Sequence, residues 1–176
     1  MGMKLHIGGS ERRAGWTVVN IAPGDHVDIV ADCRAIPVEP NTCDEVYASH
    51  VLEHIEKAEV GKTLRHWHDL LVPGGRLRVA VPDLQTLCRL YVDDRISTYR
   101  TWQVVSYIYG GQTNAHDYHR CGFSEDTLRS ALEETGYAEI RQVAEFGEFR
   151  DCSYAHFLNG SISLNMEAIK PCEPNA

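Results

Sequence analysis

No window of the 176-residue chain is apolar for long enough to cross a bilayer, which takes about 20 residues. The opening residues, Met1-Gly2-Met3-Lys4-Leu5-His6, lack the apolar core of a signal peptide and the hydroxyl residue that N-myristoylation needs. No membrane partner is expected, and a soluble, cytoplasmic location is. Positive charge is scarce: Lys plus Arg number 17 against 25 Asp plus Glu, a formal charge of -8. Nonspecific attraction to phosphate backbones is therefore weak, and nucleic acid is not an expected partner. The six cysteines, at 33, 43, 88, 121, 152 and 172, contain no Cys-x-x-Cys pair and no Cys/His spacing of a zinc module. They read as reduced thiols in or near the core, and no bound metal is expected. Internal repeats and low-complexity linkers are also missing, so residues 1–176 read as a single domain, large enough to bury roughly two-thirds of its unfolded surface.

What the chain does have is strand punctuation followed by helices. Lys4 to Ile7, Trp16 to Ile21, Val27 to Ala31 and Glu45 to Ala48 read as four strands within the first fifty residues, from β-branched content bounded by Gly, Pro and Asp turns. Ala58 to Leu71 places Val60, Leu64, Trp67 and Leu71 on one stripe, which predicts a helix packed on a sheet. Pro73-Gly74-Gly75 then turns the chain into the alternating run Arg76 to Pro82. Asp83 is the predicted cap of the next helix, Thr98 to Tyr109 forms another, and Ser124 caps a last helix that ends at Gly136. Ala138 to Val143 and Ser161 to Ile169 read as an antiparallel closing pair. The fold class is α/β: a Rossmann-like, mainly parallel sheet with an antiparallel edge hairpin.

Only about nine residues separate the first two strands and about five the next two, whereas a helical crossover takes a dozen or more. Helices on one face are therefore reduced, which leaves sheet surface to be covered by a partner. A homodimer is expected on that ground. Trp16, Trp67 and Trp102 are read as core residues.

Polar residues just past a parallel strand sit at the carboxyl edge, where open α/β sheets bind ligands. Two such groups are present: Ser49-His50-Val51-Leu52-Glu53-His54 after the fourth strand, and the loop Gly110 to Gly122 with His116, Asp117 and His119. Leu5-His6-Ile7-Gly8-Gly9, Gly15-Trp16 before Val19-Asn20-Ile21, Asp32 with Ile36-Pro37, the His50 to His54 run, Val72-Pro73-Gly74-Gly75 and Gly110-Gly111-Gln112 follow in order. This layout resembles the short class I S-adenosylmethionine-dependent methyltransferases, and the resemblance covers nearly the whole chain. It implies methyl transfer from S-adenosylmethionine to a small molecule or glycan precursor. The implied cofactor contacts are Gly8, Gly9, Asn20, Asp32, Cys33 and His50. Two positions depart from the pattern: Ser10 stands where a further glycine is usual, and Ala22 is taken as the position of the missing acid after the second strand. Losing a carboxylate that holds both ribose hydroxyls weakens binding by about 1 to 3 kcal/mol.

A hydroxyl or ammonium acceptor must lose a proton as it is methylated, and histidine suits that task near neutral pH. His119 is the preferred base, with His54 next and His116 as a third candidate; Asp117 is expected to orient an imidazole. Two other classes remain open on the sequence. His50-Val51-Leu52-Glu53-His54 matches His-x-x-Glu-His, a zinc-hydrolase pattern that belongs within a long helix. The departures at Ser10 and Ala22 admit a noncatalytic binding or assembly module on the same fold.

Overall fold

The computed structural model describes residues 2–158 and 160–172. Seven strands form one sheet: β1 (Met3–Ile7), β2 (Thr17–Asn20), β3 (Ile29–Val30), β4 (Cys43–Ser49), β5 (Leu71–Pro82), β6 (Ala138–Val143) and β9 (Ser163–Ile169). Their order is β3-β2-β1-β4-β5-β9-β6. The pairs through β5 are parallel, and β9 runs antiparallel to both β5 and β6. The closing pair thus forms as expected, with β9 inserted between β5 and β6. A separate hairpin joins β7 (His156–Phe157) to β8 (Gly160–Ser161).

The helices are α1 (Lys57–Leu70), α2 (Leu84–Tyr91), α3 (Thr98–Tyr109) and α4 (Glu125–Glu134). The Asp83 side chain accepts from the Gln85 and Thr86 amides, and Ser124 with Thr127 forms a full capping box. Alternation places Leu5 and Ile7, Val46 and Ala48, Leu77 and Val79, and Leu164 and Met166 on one sheet face, packed with Leu64, Trp67, Leu128 and Leu132 of α1 and α4 in one buried cluster.

The other face corrects the expectation of uncovered apolar surface. Its residues are largely charged or aromatic. Lys4 pairs with Glu45, Glu45 with Arg78, Arg78 with Glu167 and Glu167 with Arg141, crossing four strands of the sheet and its edge. Burial alone would push the Glu167 carboxyl up, but the hydrogen-bonded Arg141 and the nearby Arg78 hold it below its ordinary value. Beside this ladder, Phe146 and Phe149 from the segment after β6 cover Tyr47, and Phe149 lies 3.9 Å from the His6 ring, centroid to centroid. Ion pairing and this aromatic roof replace helices within one chain. Trp16 and Trp67 are buried as expected, but Trp102 is 68% exposed on α3. Cys43 alone among the six free thiols is buried, while Cys88, Cys152 and Cys172 are exposed.

His6 yields a pH prediction. It is 3% exposed, and its Nδ1 has no hydrogen-bond partner among the described residues. Burial pushes its pKa from 6.5 down to about 4, against the smaller upward pull of Asp151 and Glu11. Between those two values only the unfolded chain takes up the proton, so stability is complete above 6.5 and falls as the pH falls toward about 4. The loss is on the order of 3 kcal/mol. Urea unfolding over that range should show it, and His6→Phe should flatten the pH dependence; an unchanged slope in the variant would remove His6 as the cause.

Candidate active site

A cleft of about 570 Å³ opens at the carboxyl ends of β1, β2 and β4 and is roofed on one side by the late loop. Its floor is built by backbone. β1 stops at Ile7, and Gly8 continues at φ +74 with its amide donating to the Val19 carbonyl at 2.7 Å. A Cβ on Gly8 would collide with Val51 Cγ2, so only glycine lets the chain turn here. Gly9 lies buried behind this turn, its carbonyl accepting from Asn20 Nδ2 at 3.1 Å. Ser10 is exposed and is not among the cleft residues.

The second strand ends at Asn20, whose side chain turns back so that Oδ1 accepts from the Ala22 amide at 3.1 Å. Asn20 therefore faces the cleft at the strand's tip, and Ala22 lies outside it. The tip of β2 thus carries a neutral amide, two residues before Ala22. Asp32 and Cys33 follow β3 on the cleft wall. Asp32 is held by Arg34 through Nε at 2.9 Å and Nη2 at 2.6 Å, which keeps its carboxyl below the ordinary value. Burial pushes the Cys33 thiol up to about 12, so it is not a thiolate nucleophile. Glu56 bridges Arg34 at 3.6 Å and Arg120 at 3.2 Å, linking the two rims.

The histidines gather beyond β4. His50 sits at φ +53, a strained setting for a side chain of its size. Its amide donates to the Ala80 carbonyl at 2.9 Å. A 3-10 turn, Leu52–His54, then brings Glu53 under the cleft and His54 onto its wall. The late loop docks on this turn because the Glu53 carbonyl accepts from the amides of Arg120 and Cys121 at 2.7 and 3.1 Å. That docking sets His119 beside the Glu53 carboxylate, Nε2 to Oε1 at 3.9 Å, with its ring edge-on to His54 at 4.9 Å between centroids. Burial lowers the His119 pKa, with Glu53 opposing and His54 and His50 adding to the shift, so its imidazole is neutral at pH 7.

Of the residues singled out in the sequence, Gly8, Asn20, Asp32, Cys33, His50, His54 and His116 line this one cleft. Gly9 and His119 stand behind it. Asp117 does not orient an imidazole; its carboxylate binds Thr113 Oγ1 at 2.7 Å and the Thr113 amide at 3.1 Å. The His-x-x-Glu-His reading fails on geometry, because residues 50 to 54 leave a strand through a 3-10 turn and α1 starts only at Lys57. The buried Glu53 carboxylate between the histidines, and the Arg34-Glu56-Arg120 link, carried no periodicity that would mark them beforehand.

The family described as Methyltransferase domain matches residues 7–142. The chain belongs to that family. Among solved structures, a SAM-dependent methyltransferase from Archaeoglobus fulgidus superposes with a TM-score of 0.60 at 15% identity, covering 96% of this chain and 87% of that one. The Burkholderia thailandensis 1,6-didemethyltoxoflavin-N1-methyltransferase, with bound 1,6-didemethyltoxoflavin and S-adenosylhomocysteine, has a TM-score of 0.58 at 18% identity over 97% of this chain and 71% of that one. Phosphoethanolamine N-methyltransferase 2 of Haemonchus contortus, in complex with S-adenosyl-L-methionine, has a TM-score of 0.53 at 14% identity, covering 97% of this chain and 50% of that one. At these identities the likeness is one of fold. No curated protein matches the sequence.

This methyltransferase domain shares its fold with structures that hold S-adenosylmethionine or S-adenosylhomocysteine. The cleft fits in kind: a side-chain-free turn at Gly8, an amide at the tip of β2 and a partly apolar wall at Cys33, Val51 and Ile55. Its volume is in the range of cofactor pockets, about 300 to 1,000 Å³. Among the described residues no helix is long and apolar enough to cross a membrane.

Proposed function

We propose that the domain transfers the methyl group of S-adenosylmethionine to a hydroxyl- or amine-bearing small molecule or glycan precursor, using histidine as the base. The observation that carries this reading is that the Gly8 turn and His54 line one cleft, with Glu53 and His119 grouped directly behind His54. Gly8, Gly9 and Asn20 would hold one end of the cofactor, and Asp32, Cys33 and His50 would border it. Asp32 is already engaged by Arg34, so it presents a fixed, charge-balanced edge. The bound cofactor supplies an electrophilic methyl carbon on a sulfonium, and alignment behind it can supply much of the rate.

The acceptor's proton goes to the histidine pair. His54 Nδ1 lies 3.1 Å from the Tyr118 carbonyl, which can only accept, so the proton rests on Nδ1 and Nε2 keeps the lone pair. His54 Nε2 would take the proton that the acceptor loses as it is methylated. His119 and Glu53 behind it balance the new charge. His116 lines the opposite rim and helps to enclose the acceptor. A homodimer, in this reading, uses the exposed Tyr99 and Trp102 of α3, and sedimentation checks it. Six unpaired thiols suit a reducing, cytoplasmic setting.

Calorimetric titration of the chelator-treated protein with S-adenosylmethionine and S-adenosylhomocysteine tests the cofactor half. Micromolar binding is expected, weakened about tenfold in Asp32→Ala because the cleft wall loses its carboxylate and frees Arg34. No heat at any accessible concentration would overturn the enzyme reading in favour of a noncatalytic module.

A further inference from the structure

Glu53 differs from the other acidic groups among the described residues in having both carboxylate oxygens buried without a hydrogen-bond partner. Its side chain is 1% exposed. Burying a carboxylate without compensation costs several kcal/mol, so a group left in this state needs a positive partner. Its neighbours are imidazoles. His50 Nδ1 stands 3.3 Å from Oε1, but the other nitrogen of that ring contacts Ser163 Oγ at 2.8 Å. Ser163 spends its only proton on the Cys152 carbonyl at 2.5 Å, so its oxygen must accept from His50 Nε2–H. The His50 ring proton on Nε2 is therefore committed to Ser163 and does not serve Glu53. His54 keeps its proton on the Tyr118 side, which leaves a lone pair free. One ligand atom each from Glu53, His54 and His119 lie within 4.8 Å of one another. Imidazole nitrogens and a buried carboxylate thus converge, and neither Glu53 oxygen has a hydrogen-bond partner among the described residues.

We propose that Glu53, His54 and His119 form a binding site for a divalent first-row transition ion, with zinc the probe of choice, at the end of the cleft. Two imidazole nitrogens and one carboxylate oxygen suit Zn²⁺, Co²⁺ or Fe²⁺ better than Mg²⁺ or Ca²⁺, which prefer all-oxygen shells. The 3.9 Å between His119 Nε2 and Glu53 Oε1 needs only a small contraction to reach the roughly 3.4 Å that two ligands at about 2.0 to 2.1 Å span on a tetrahedral ion. The support behind the ligands is also that of a metal site: the Tyr118 carbonyl fixes the His54 tautomer. The backbone clamp of Arg120 and Cys121 on the Glu53 carbonyl locks the loop carrying His119. The cleft side of the ion remains open to a ligand oxygen, since His54 lines it. Ion binding rests on this cluster and not on methyl transfer; because His54 Nε2 has one lone pair, an ion held there displaces His54 as the base, and the ion titration can fail while cofactor binding stands, or the reverse.

The test uses the full chain, stripped with a chelator and titrated with Zn²⁺ and, separately, Co²⁺ in the absence of cofactor. One ion per chain is expected, with a visible Co²⁺ spectrum of nitrogen and oxygen ligation and no thiolate charge-transfer band. His54→Ala and His119→Ala should each weaken binding at least about tenfold. His26→Ala, on the loop between β2 and β3, should leave it unchanged. His54 and His119 are partly exposed, and unchanged circular dichroism of those variants would separate a lost ligand from a lost fold. Binding that survives both substitutions, a thiolate band, or no binding at micromolar ion would overturn the site.

Discussion

Gly8→Ala is expected to weaken S-adenosylmethionine binding by about a hundredfold or more and to lower stability by about 1 to 3 kcal/mol. Two penalties act at once. Gly8 holds φ +74, where an L side chain costs about 1 to 2 kcal/mol. The new methyl group would also meet Val51 Cγ2. Val51 sits between His50 and His54, so relief by moving it shifts the histidine turn; relief by moving Gly8 closes the cleft floor. Either way the cofactor site is damaged, and calorimetry together with thermal unfolding would register it. Gly61→Ala is the matched control. Gly61 is exposed within α1, and a Cβ there meets nothing within 4 Å, so the change should raise stability by about 1 kcal/mol through helix propensity alone. Unimpaired binding in Gly8→Ala would mean that the cofactor does not use this turn.

Glu53→Gln is expected to separate stability from turnover. In metal-free protein the substitution removes a buried charge with no donor at either oxygen while keeping its shape, so unfolding free energy should rise by about 1 to 3 kcal/mol. Methyl transfer should fall by about a hundredfold. Glu53 pulls the His119 pKa upward against burial, and without that charge the histidine pair is a poorer proton acceptor. Cofactor affinity should not change, because Glu53 lies behind the wall and not on it. Equal loss of kcat and cofactor binding would show a general collapse of the cleft; unaltered kcat would remove the carboxylate from the reaction. A site that holds an unfavourable charge for the sake of chemistry carries this signature of lower stability and higher activity.

Much of the fold was legible because its elements are locally encoded. The α1 stripe at Val60, Leu64 and Trp67, the Asp83 and Ser124 caps and the alternation along β5 and β9 were each visible in a short window, and each appears in the structure. The class followed from the strand-helix-strand pattern, and the reduced helices on one face from early connections too short to hold crossovers. Less legible was the second sheet face. Lys4, Glu45, Arg78 and Glu167 are far apart in the chain and look like ordinary solvated charges, yet strand register aligns them into a ladder. Phe146 and Phe149 fell in a segment with no clear period and proved to be the roof over Tyr47 and His6. β2 ends at Asn20, one residue short of the expected Ile21, because strand ends are set by partner strands and side-chain turns such as that of Asn20, not by composition.

The candidate site divides along the same line. The sequence by itself determined which residues follow the strand ends, and therefore that Gly8, Asn20, Asp32, Cys33, His50 and His54 would share the carboxyl edge, because parallel strands deliver their C-terminal ends to one side. Tertiary structure decided what those residues do to one another. Whether His119, some 65 positions beyond His54, meets Glu53 depends on two backbone amides reaching the Glu53 carbonyl, and whether Glu53 is a solvated charge or a buried one depends on how that loop closes. Local windows carry propensity and periodicity; burial, hydrogen-bond direction and the field at a carboxylate are sums over distant neighbours, and only the folded chain brings those neighbours together.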